Sequence, residues 1–323
     1  MYAVAPAPRL QGRNFLRVSD VTAEELSAIL RLAAYLKGRG LNEQLALLRG
    51  KTLAMLFEKP SLRTRVSFEV AMTQLGGHVV FAQGNEFSIG SRETPEDAAR
   101  VLSRYAHAIV IRTHAHEPLA RFAEAATVPV INGLSAAAHP CQAIADMLTI
   151  EESFGTLAGL CVAYVGDARN NVAISLAEAA VLAGATVHFG APNSHRPSES
   201  FLAWLKRLGK PHGGGARAFA NPVRAVRGAD VVYTDVWTSM GEEALAERNR
   251  AVLAPYRVDK TLFAHAAPHA IFMHCLPAHR GEEVTDEVIE GTRSVVFTQA
   301  ENRMHAQKAL LAALLTDLRG IPI

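Results

Sequence analysis

Cysteine is scarce in this chain: Cys141, Cys161 and Cys275 are the three among 323 residues. Their number is odd, their spacings are wide and no C-x-x-C occurs. That excludes a disulfide framework and argues against a zinc site. A reducing compartment fits such a chain, so a cytoplasmic location is expected. No apolar run approaches the about 18 residues of a membrane span. Residues 1–17 carry Arg9, Arg13 and Arg17 but no apolar stretch, so no secretory signal is read there. Net charge is +2 and no cluster of Lys or Arg stands out, which removes the case for a nucleic-acid surface. There is no G-x-x-x-x-G-K-[ST] phosphate loop. Gly166-Asp167-Ala168-Arg169-Asn170-Asn171 follows a strand pattern but is not G-x-G-x-x-G, so a dinucleotide is disfavoured. No internal repeat or heptad is present.

What is there is a well-built hydrophobic chain. Hydrophobic residues are 49% and charged residues 20%, enough for a sizeable core. The length suits two domains better than one. One stretch stands out: Ser61-Leu62-Arg63-Thr64-Arg65. It follows the apolar run Thr52-Leu53-Ala54-Met55-Leu56-Phe57, which reads as a buried strand. It opens a helical pattern that stops at Gly76-Gly77. Hydroxyls and arginines thus stand at a helix N-terminus just after a strand. Free N–H groups and the helix dipole favour an anion there, and an arginine fork fits phosphate oxygens. A plain serine cap followed by solvated arginines is the alternative.

The pattern alternates along the chain. Thr22-Ala23-Glu24-Glu25 is a capping box before a helix that stops at Gly38. Strands are expected at 52–57, 78–82, 108–111 and 128–131. Helices are expected at 64–75, from Thr94-Pro95 onward, at 117–126 and at 139–154. A second run follows, with strands at 160–165, 185–189, 230–234, 270–274 and 294–297. Its helices lie at 171–183, 198–208 and 299–318, and Gly213-Gly214-Gly215 reads as an exposed turn. Strand–helix alternation implies parallel sheets covered on both faces. The expected fold is α/β, with two doubly wound parallel-sheet domains. The first spans 1–146, with the C-terminal helix at about 301–320 packing back on it, and the second spans 147–300.

The unusual polar residues fall at the carboxyl ends of those strands. The Ser61–Arg65 stretch, Arg112, the Asp167–Asn171 turn, the 235–241 loop and Cys275 each follow one. Open α/β sheets bind ligands there, so an active site in the cleft between the domains is expected. The first half supplies Arg63, Arg65, Arg112, His139 and Gln142. The second supplies Asn171, Asp235, Ser239 and Cys275, which suit an amino acid. A phosphorylated substrate on one side and an amine on the other point to group transfer.

These motifs, taken together and in order, resemble the ornithine carbamoyltransferases. They are Ser61-Leu62-Arg63-Thr64-Arg65, His139-Pro140-Cys141-Gln142, Asp235-x-x-x-Ser239-Met240-Gly241, His274-Cys275-Leu276-Pro277 and Gln299-Ala300-Glu301-Asn302-Arg303. The first two are shared with the aspartate carbamoyltransferases; the 235–241 loop and the HCLP motif favour ornithine. The resemblance implies transfer of the carbamoyl group of carbamoyl phosphate to the δ-amine of L-ornithine, with no metal and no organic cofactor. It implies that Ser61, Leu62 (through its backbone), Arg63, Thr64, Ser88, Arg112, His139, Gln142, Cys275, Leu276 and Arg303 hold carbamoyl phosphate. Asn171, Asp235, Ser239 and Met240 would hold ornithine, and Cys275, Arg112, His139 and Asp235 would act on the reacting atoms. A homotrimer, or an assembly of trimers, is implied, with the loop at 84–92 reaching a neighbour.

Each residue also has a plainer reading. His139 before Pro140 caps a helix, Arg303 is a solvated charge at a helix head, and Met240 fills a loop. Cys141 and Cys161 lie in apolar patterns and read as packing residues. His114-Ala115-His116-Glu117 looks metal-like but starts a surface helix. Three positions depart from the usual pattern: Leu62 and Cys141 each replace a Thr, and Ser88 stands where Gln is common. Putrescine or an N-acylated ornithine is the alternative acceptor. A catalytically silent binding paralogue is the other class.

Overall fold

Strand β1 (Thr52–Phe57) is buried from its second residue on and pairs in parallel with β2 (His78–Gln83) on one side and β3 (Ala108–Arg112) on the other. The computed structural model describes residues 10–40, 45–238 and 243–318. The described chain divides into two units. The first runs to Leu148 and resumes at Asn302; the second is Thr149–Glu301.

The first unit has a four-stranded parallel sheet in the order β2-β1-β3-β4, with β4 at Val130–Leu134. Its helices are α1 (Ala23–Gly38), α2 (Leu62–Gln74), α3 (Pro95–Leu102) and α4 (His116–Ala125). Helix α5 (Pro140–Phe154) leads out of the unit. Caps set the helix starts: Thr22 accepts from the Glu25 N–H in a capping box, and Thr94 accepts from Asp97 with Pro95 in the first turn. Ala54 and Leu56 of β1 and Ile109 and Ile111 of β3 point to one face, the period-2 rule of a strand. There they pack with Ala98 and Ala99 of α3 and Leu119 and Phe122 of α4. Each large side chain buried this way contributes about 1.5–3 kcal/mol.

The second unit has a five-stranded parallel sheet, β7-β6-β5-β8-β9. The strands are β5 (Cys161–Val165), β6 (Thr186–Gly190), β7 (Gly215–Phe219), β8 (Val231–Thr234) and β9 (Ile271–His274). Helix α6 (Asn171–Leu182) is apolar nearly all round and buried to match. Helix α7 (Glu199–Gly209) follows β6, and the shorter α8 (Pro222–Val226), α9 (Ala246–Leu253), α10 (Lys260–Phe263) and α11 (Asp286–Ile289) fill the later connections. Helix α12 (Val296–Leu315) begins in this unit and ends in the first. No helix among the described residues is long and apolar enough to cross a membrane.

Three expectations need correction. Residues 294–297 do not form a strand. Ser294 makes a single bridge to Phe272, and Val296 already belongs to α12. The Val-Val-Phe run has strand propensity, but the chain leaves the sheet edge after one bridge and its i→i+4 bonds take over. The Gly213–Gly215 run is a turn only at Gly213, which has φ +80°. A Cβ on Gly214 would lie 2.2 Å from the Val181 carbonyl oxygen, so this glycine permits close packing, and Gly215 opens β7. Strand β4 starts two residues later than expected and runs through Asn132-Gly133, a pair that reads as a turn. Pro129 has no N–H for the ladder. Asn132 stays buried because its Nδ2 donates to the Leu16 and Ala138 carbonyls and to Ser135 Oγ.

Candidate functional site

Both sheets reverse their winding beside the strand that starts them. In the first unit the chain goes from β1 to β2 on one side, then returns to β3 and β4 on the other. In the second it goes from β5 through β6 to β7, then returns to β8 and β9. Such switch points leave a crevice at the carboxyl ends of the two diverging strands. The candidate residues stand at these ends, and each unit carries its own set.

In the first unit Ser61 caps α2. Its Oγ accepts from the Thr64 N–H at 3.4 Å and donates to Thr64 Oγ1 at 3.0 Å. Leu62, 77% exposed, and Arg63 occupy the first turn, whose N–H groups have no partner within the helix. Arg303, from α12, is buried and ties three helices together. Its Nη1 donates to Gln142 Oε1 of α5 at 2.7 Å, and its Nη2 donates to Thr64 Oγ1 at 3.2 Å. Gln142 passes its own Nε2–H to Asp146 at 2.8 Å. Arg112 ends β3 and is buried. His139, just before α5, is buried too, and its proton affinity falls well below the ordinary histidine range. Burial is the main cause, and the positive charges of Arg303 and Arg112 add to it. The ring is therefore neutral at physiological pH and acts as a hydrogen-bonding group without charge. Cys141 packs below; burial pushes its thiol up to about 12, which leaves it inert.

Arg65, in contrast, does not join this group. Its guanidinium lies 4.0 Å from the centre of the Phe81 ring and pairs with Glu69 at 2.9 Å. Ser88 is exposed, and its Oγ donates to Glu58 at 3.4 Å.

Glu58 is not among the residues that the motifs name. It follows β1 directly, and its N–H donates to the Arg112 carbonyl at 2.8 Å. Its Oε1 accepts from the Ile89 N–H at 2.8 Å as well as from Ser88. Its Oε2 accepts from the Thr113 hydroxyl and, at 3.1 Å, from the His114 N–H. One carboxylate thus fastens the 84–92 loop to the turn after Arg112. A charged residue directly after a fully apolar strand was the available signal.

In the second unit Asn170 caps α6, accepting from the Ala173 N–H at 2.7 Å. Its Nδ2 donates to the Tyr164 hydroxyl at 2.8 Å and to Asp235 Oδ2 at 3.4 Å. Asn171 is the first residue of α6. Asp235, just past β8, is 8% exposed, and its other oxygen accepts from the Cys275 thiol at 3.1 Å. Burial raises the Asp235 carboxyl above its ordinary value, while His274 and the Cys275 hydrogen bond pull it back. Cys275 follows β9, and Leu276 takes φ +56° before a cis peptide to Pro277. His274 holds this turn. Its Nδ1 accepts from the Leu276 N–H at 2.9 Å and its Nε2 lies 3.2 Å from Glu283. Its backbone N–H donates to Gln299, which in turn donates to the Tyr233 hydroxyl. Ser239, Met240 and Gly241 lie outside the described residues.

Asp235, His274 and Cys275 bring one ligand atom each within 4.8 Å of one another, and so do His279, Glu282 and Glu283. A metal at either set would have to break bonds already made. Both His274 nitrogens are engaged, and Glu283 Oε1 accepts from His274 and from the His279 N–H.

Two family models match the chain in succession. The carbamoyl-P binding domain model of the aspartate/ornithine carbamoyltransferases matches residues 13–152, and the Asp/Orn binding domain model matches residues 158–314. The anabolic ornithine carbamoyltransferase of Pyrococcus furiosus is 50% identical over 311 residues, covering 96% of this chain and 98% of that one. A solved ornithine carbamoyltransferase from Pyrococcus furiosus superimposes with a TM-score of 0.92 at 51% identity, covering 95% of this chain and 98% of that chain. The Thermus thermophilus enzyme structure gives 0.84 at 44% identity, covering 94% and 99%. The chain belongs to the aspartate/ornithine carbamoyltransferase family.

Proposed function

We propose that this protein is an ornithine carbamoyltransferase, which joins carbamoyl phosphate and L-ornithine to give L-citrulline and phosphate. The observation that carries the reading is the pairing in one chain of two unlike half-sites. One is the pair of buried arginines, Arg112 and Arg303, with Arg303 bonded to Thr64 beside the Ser61 helix cap; the other is the Asn170–Asp235–Cys275 constellation. The names of the similar proteins point the same way.

On this reading the phosphate of carbamoyl phosphate rests on the first turn of α2. Ser61, Arg63, Thr64 and the Leu62 N–H hold it, and Arg303 and Gln142 close the far side. Ser88 adds a contact from the 84–92 loop of a neighbouring chain. The carbamoyl oxygen faces Arg112 and the neutral His139 ring. As the δ-amine attacks the carbonyl carbon, a new N–C bond forms and negative charge builds on that oxygen. Fixed donors stabilise this charge more than they stabilise the substrate. The C–O bond to phosphate then breaks, the leaving phosphate takes the proton that the attacking nitrogen sheds, and the resulting hydrogen-phosphate dianion stays among the arginines.

The amine must be neutral to attack. An aliphatic amine with a pKa of about 10.4 is neutral only about four times in ten thousand at pH 7. Asp235 binds the α-amino group, with Asn171, Ser239 and Met240 along the amino-acid end. Cys275, hydrogen-bonded to Asp235, stands beside Leu276 to orient the δ-amine. The proton leaves to this pair. No metal and no organic cofactor takes part. The mixed anhydride donor drives transfer toward citrulline, the direction of arginine biosynthesis, in the cytoplasm.

We also propose a homotrimer, in which the 84–92 loop serves a neighbour's site. Leu62 and Val66 of α2 and Val80 of the edge strand β2 are exposed apolar residues of the kind that such an assembly would cover. Parallel assays with ornithine, putrescine, N-acetylornithine and aspartate as acceptors test the function. Ornithine is expected to exceed the others in kcat/KM, and preference for any other acceptor rejects the reading. A solution mass of one chain in an active preparation rejects the trimer.

A further inference from the structure

The opposite end of the first unit's sheet holds a second concave site. Where β1 and β3 begin there is a cavity of about 360 Å³, lined by Lys51, Arg104, Tyr105, His107, Leu314 and Leu315 among others. Lys51 directly precedes β1 and His107 directly precedes β3. Arg112, at the other end of β3, is five residue steps from His107, a span of about 17 Å. The cavity is therefore separate from the Ser61–Arg303 group.

Its chemistry is one-sided. Lys51 and Arg104 bring positive charge, and no Asp or Glu lines the cavity. Among the described residues neither cation has an ion-pair partner. His107 Nδ1 accepts from the Thr52 N–H at 3.1 Å, so the ring carries its proton on Nε2 as a donor. Ser103 Oγ accepts from the Thr127 N–H, which leaves its own O–H to give. The walls are fixed by main-chain bonds. The His107 N–H donates to Thr52 at 2.8 Å and the Gly12 N–H donates to Leu314 at 3.0 Å. The floor is apolar: Ala106, Leu314 and Leu315 are buried, while the Tyr105 ring is 73% exposed at the rim.

Unpaired cations in a concave site focus a field that attracts an anion, and an arginine fork grips a phosphate or carboxylate with two bonds. An inorganic ion would leave the apolar floor and the tyrosine ring unused. A cavity of this volume accommodates a small organic molecule. We propose that it is a binding site for a small organic dianion, a charged phosphate or dicarboxylate head on an apolar or aromatic body.

Calorimetric titration of the full chain tests this. Phenyl phosphate and phthalate serve as probes because they share a ring and differ in the head. Arg63→Ala is the background, so that the anion site at α2 does not contribute. One molecule of at least one probe is expected to bind per chain. Adding Lys51→Ala and Arg104→Ala is expected to weaken it tenfold or more, and raised salt should weaken it as well. Inorganic phosphate is expected to bind more weakly than phenyl phosphate. The tighter probe assigns the head group. Lys51→Ala with Arg104→Ala on the wild-type background should keep its thermal midpoint, which separates lost binding from lost folding. Failure of both probes to bind at millimolar concentration overturns the proposal. So does binding that the double substitution leaves unchanged, or inorganic phosphate binding as tightly as phenyl phosphate.

Discussion

Glu58→Gln is the substitution that most sharply tests how the first half-site is held. Glutamine keeps the shape of the side chain but turns one of its two acceptor corners into an N–H₂ donor. Each corner of Glu58 now serves two donors: Ile89 N–H and Ser88 O–H on one, Thr113 O–H and His114 N–H on the other. Whichever corner changes, one backbone N–H loses a charged acceptor and faces another donor. A hydrogen bond to a charged group contributes about 1.5–3 kcal/mol. Lost from the Ile89 corner, that energy releases the 84–92 loop by roughly 10–150-fold in its docked population. Lost from the other corner, it loosens the turn after Arg112. Either way kcat/KM for carbamoyl phosphate is expected to fall about tenfold or more, with a smaller change in KM for ornithine. Steady-state kinetics with each substrate varied in turn reads this. Denaturant unfolding should show a loss within the same 1.5–3 kcal/mol range. A variant within twofold of wild type in kcat/KM, with an unchanged unfolding midpoint, refutes the role given to Glu58.

Four further outcomes are expected. Arg63→Ala should fold normally, since the side chain is exposed, and should lose roughly 10–150-fold or more in kcat/KM for carbamoyl phosphate, the worth of a charged hydrogen bond; wild-type kinetics would remove Arg63 from the anion site. Asp235→Asn should raise KM for ornithine far more than KM for carbamoyl phosphate, and equal effects on both would contradict an α-amino contact. Ser88→Gln should tighten carbamoyl phosphate by up to about 1 kcal/mol, an ordinary net hydrogen bond, because the amide reaches further than the hydroxyl; unchanged affinity in a direct titration would place Ser88 away from the phosphate. Stability should fall as pH drops below about 6.5, because the unfolded His139 takes up a proton there that the buried ring refuses. His116 and His188, also lowered mainly by burial, act in the same direction. The thermal midpoint of His139→Gln should therefore depend less on pH between 7.5 and 5.5 than that of the wild type, and a steeper dependence would contradict the assignment.

Much of the fold is written in short-range signals. Leu53 to Phe57 are all apolar because β1 is an interior strand buried on both faces, and Thr22, Thr94 and Ser61 announce helices by caps that the structure retains. The 294–297 stretch misleads because Val-Val-Phe carries the same local preference in a strand as at the head of a buried helix. Asn132-Gly133 reads as a turn, yet three acceptors keep the asparagine inside β4, and one of them, the Leu16 carbonyl, comes from 116 residues away. A Cβ on Gly133 would lie 3.0 Å from Val110 Cγ1, a proximity no local pattern encodes. The short helices α8 to α11 are too brief to show a period.

The candidate site divides in the same way. Arg303 and Thr64 are named by motif, but the bond between them spans 239 residues and only the fold discloses it. Glu283 escapes the sequence because a lone glutamate among many carries no spacing, and the place of Glu58 directly after an apolar strand says nothing of its partners. Each is recognised only by what it accepts: two loops in one case, the buried ring of His274 in the other.

Mixing the purified protein with carbamoyl phosphate and L-ornithine, and measuring citrulline and phosphate together, decides whether the chain is the transferase proposed. Both products are expected in equal amounts, each dependent on both substrates and without added metal or cofactor. Phosphate released without citrulline, or no turnover by a correctly folded preparation, would contradict that assignment.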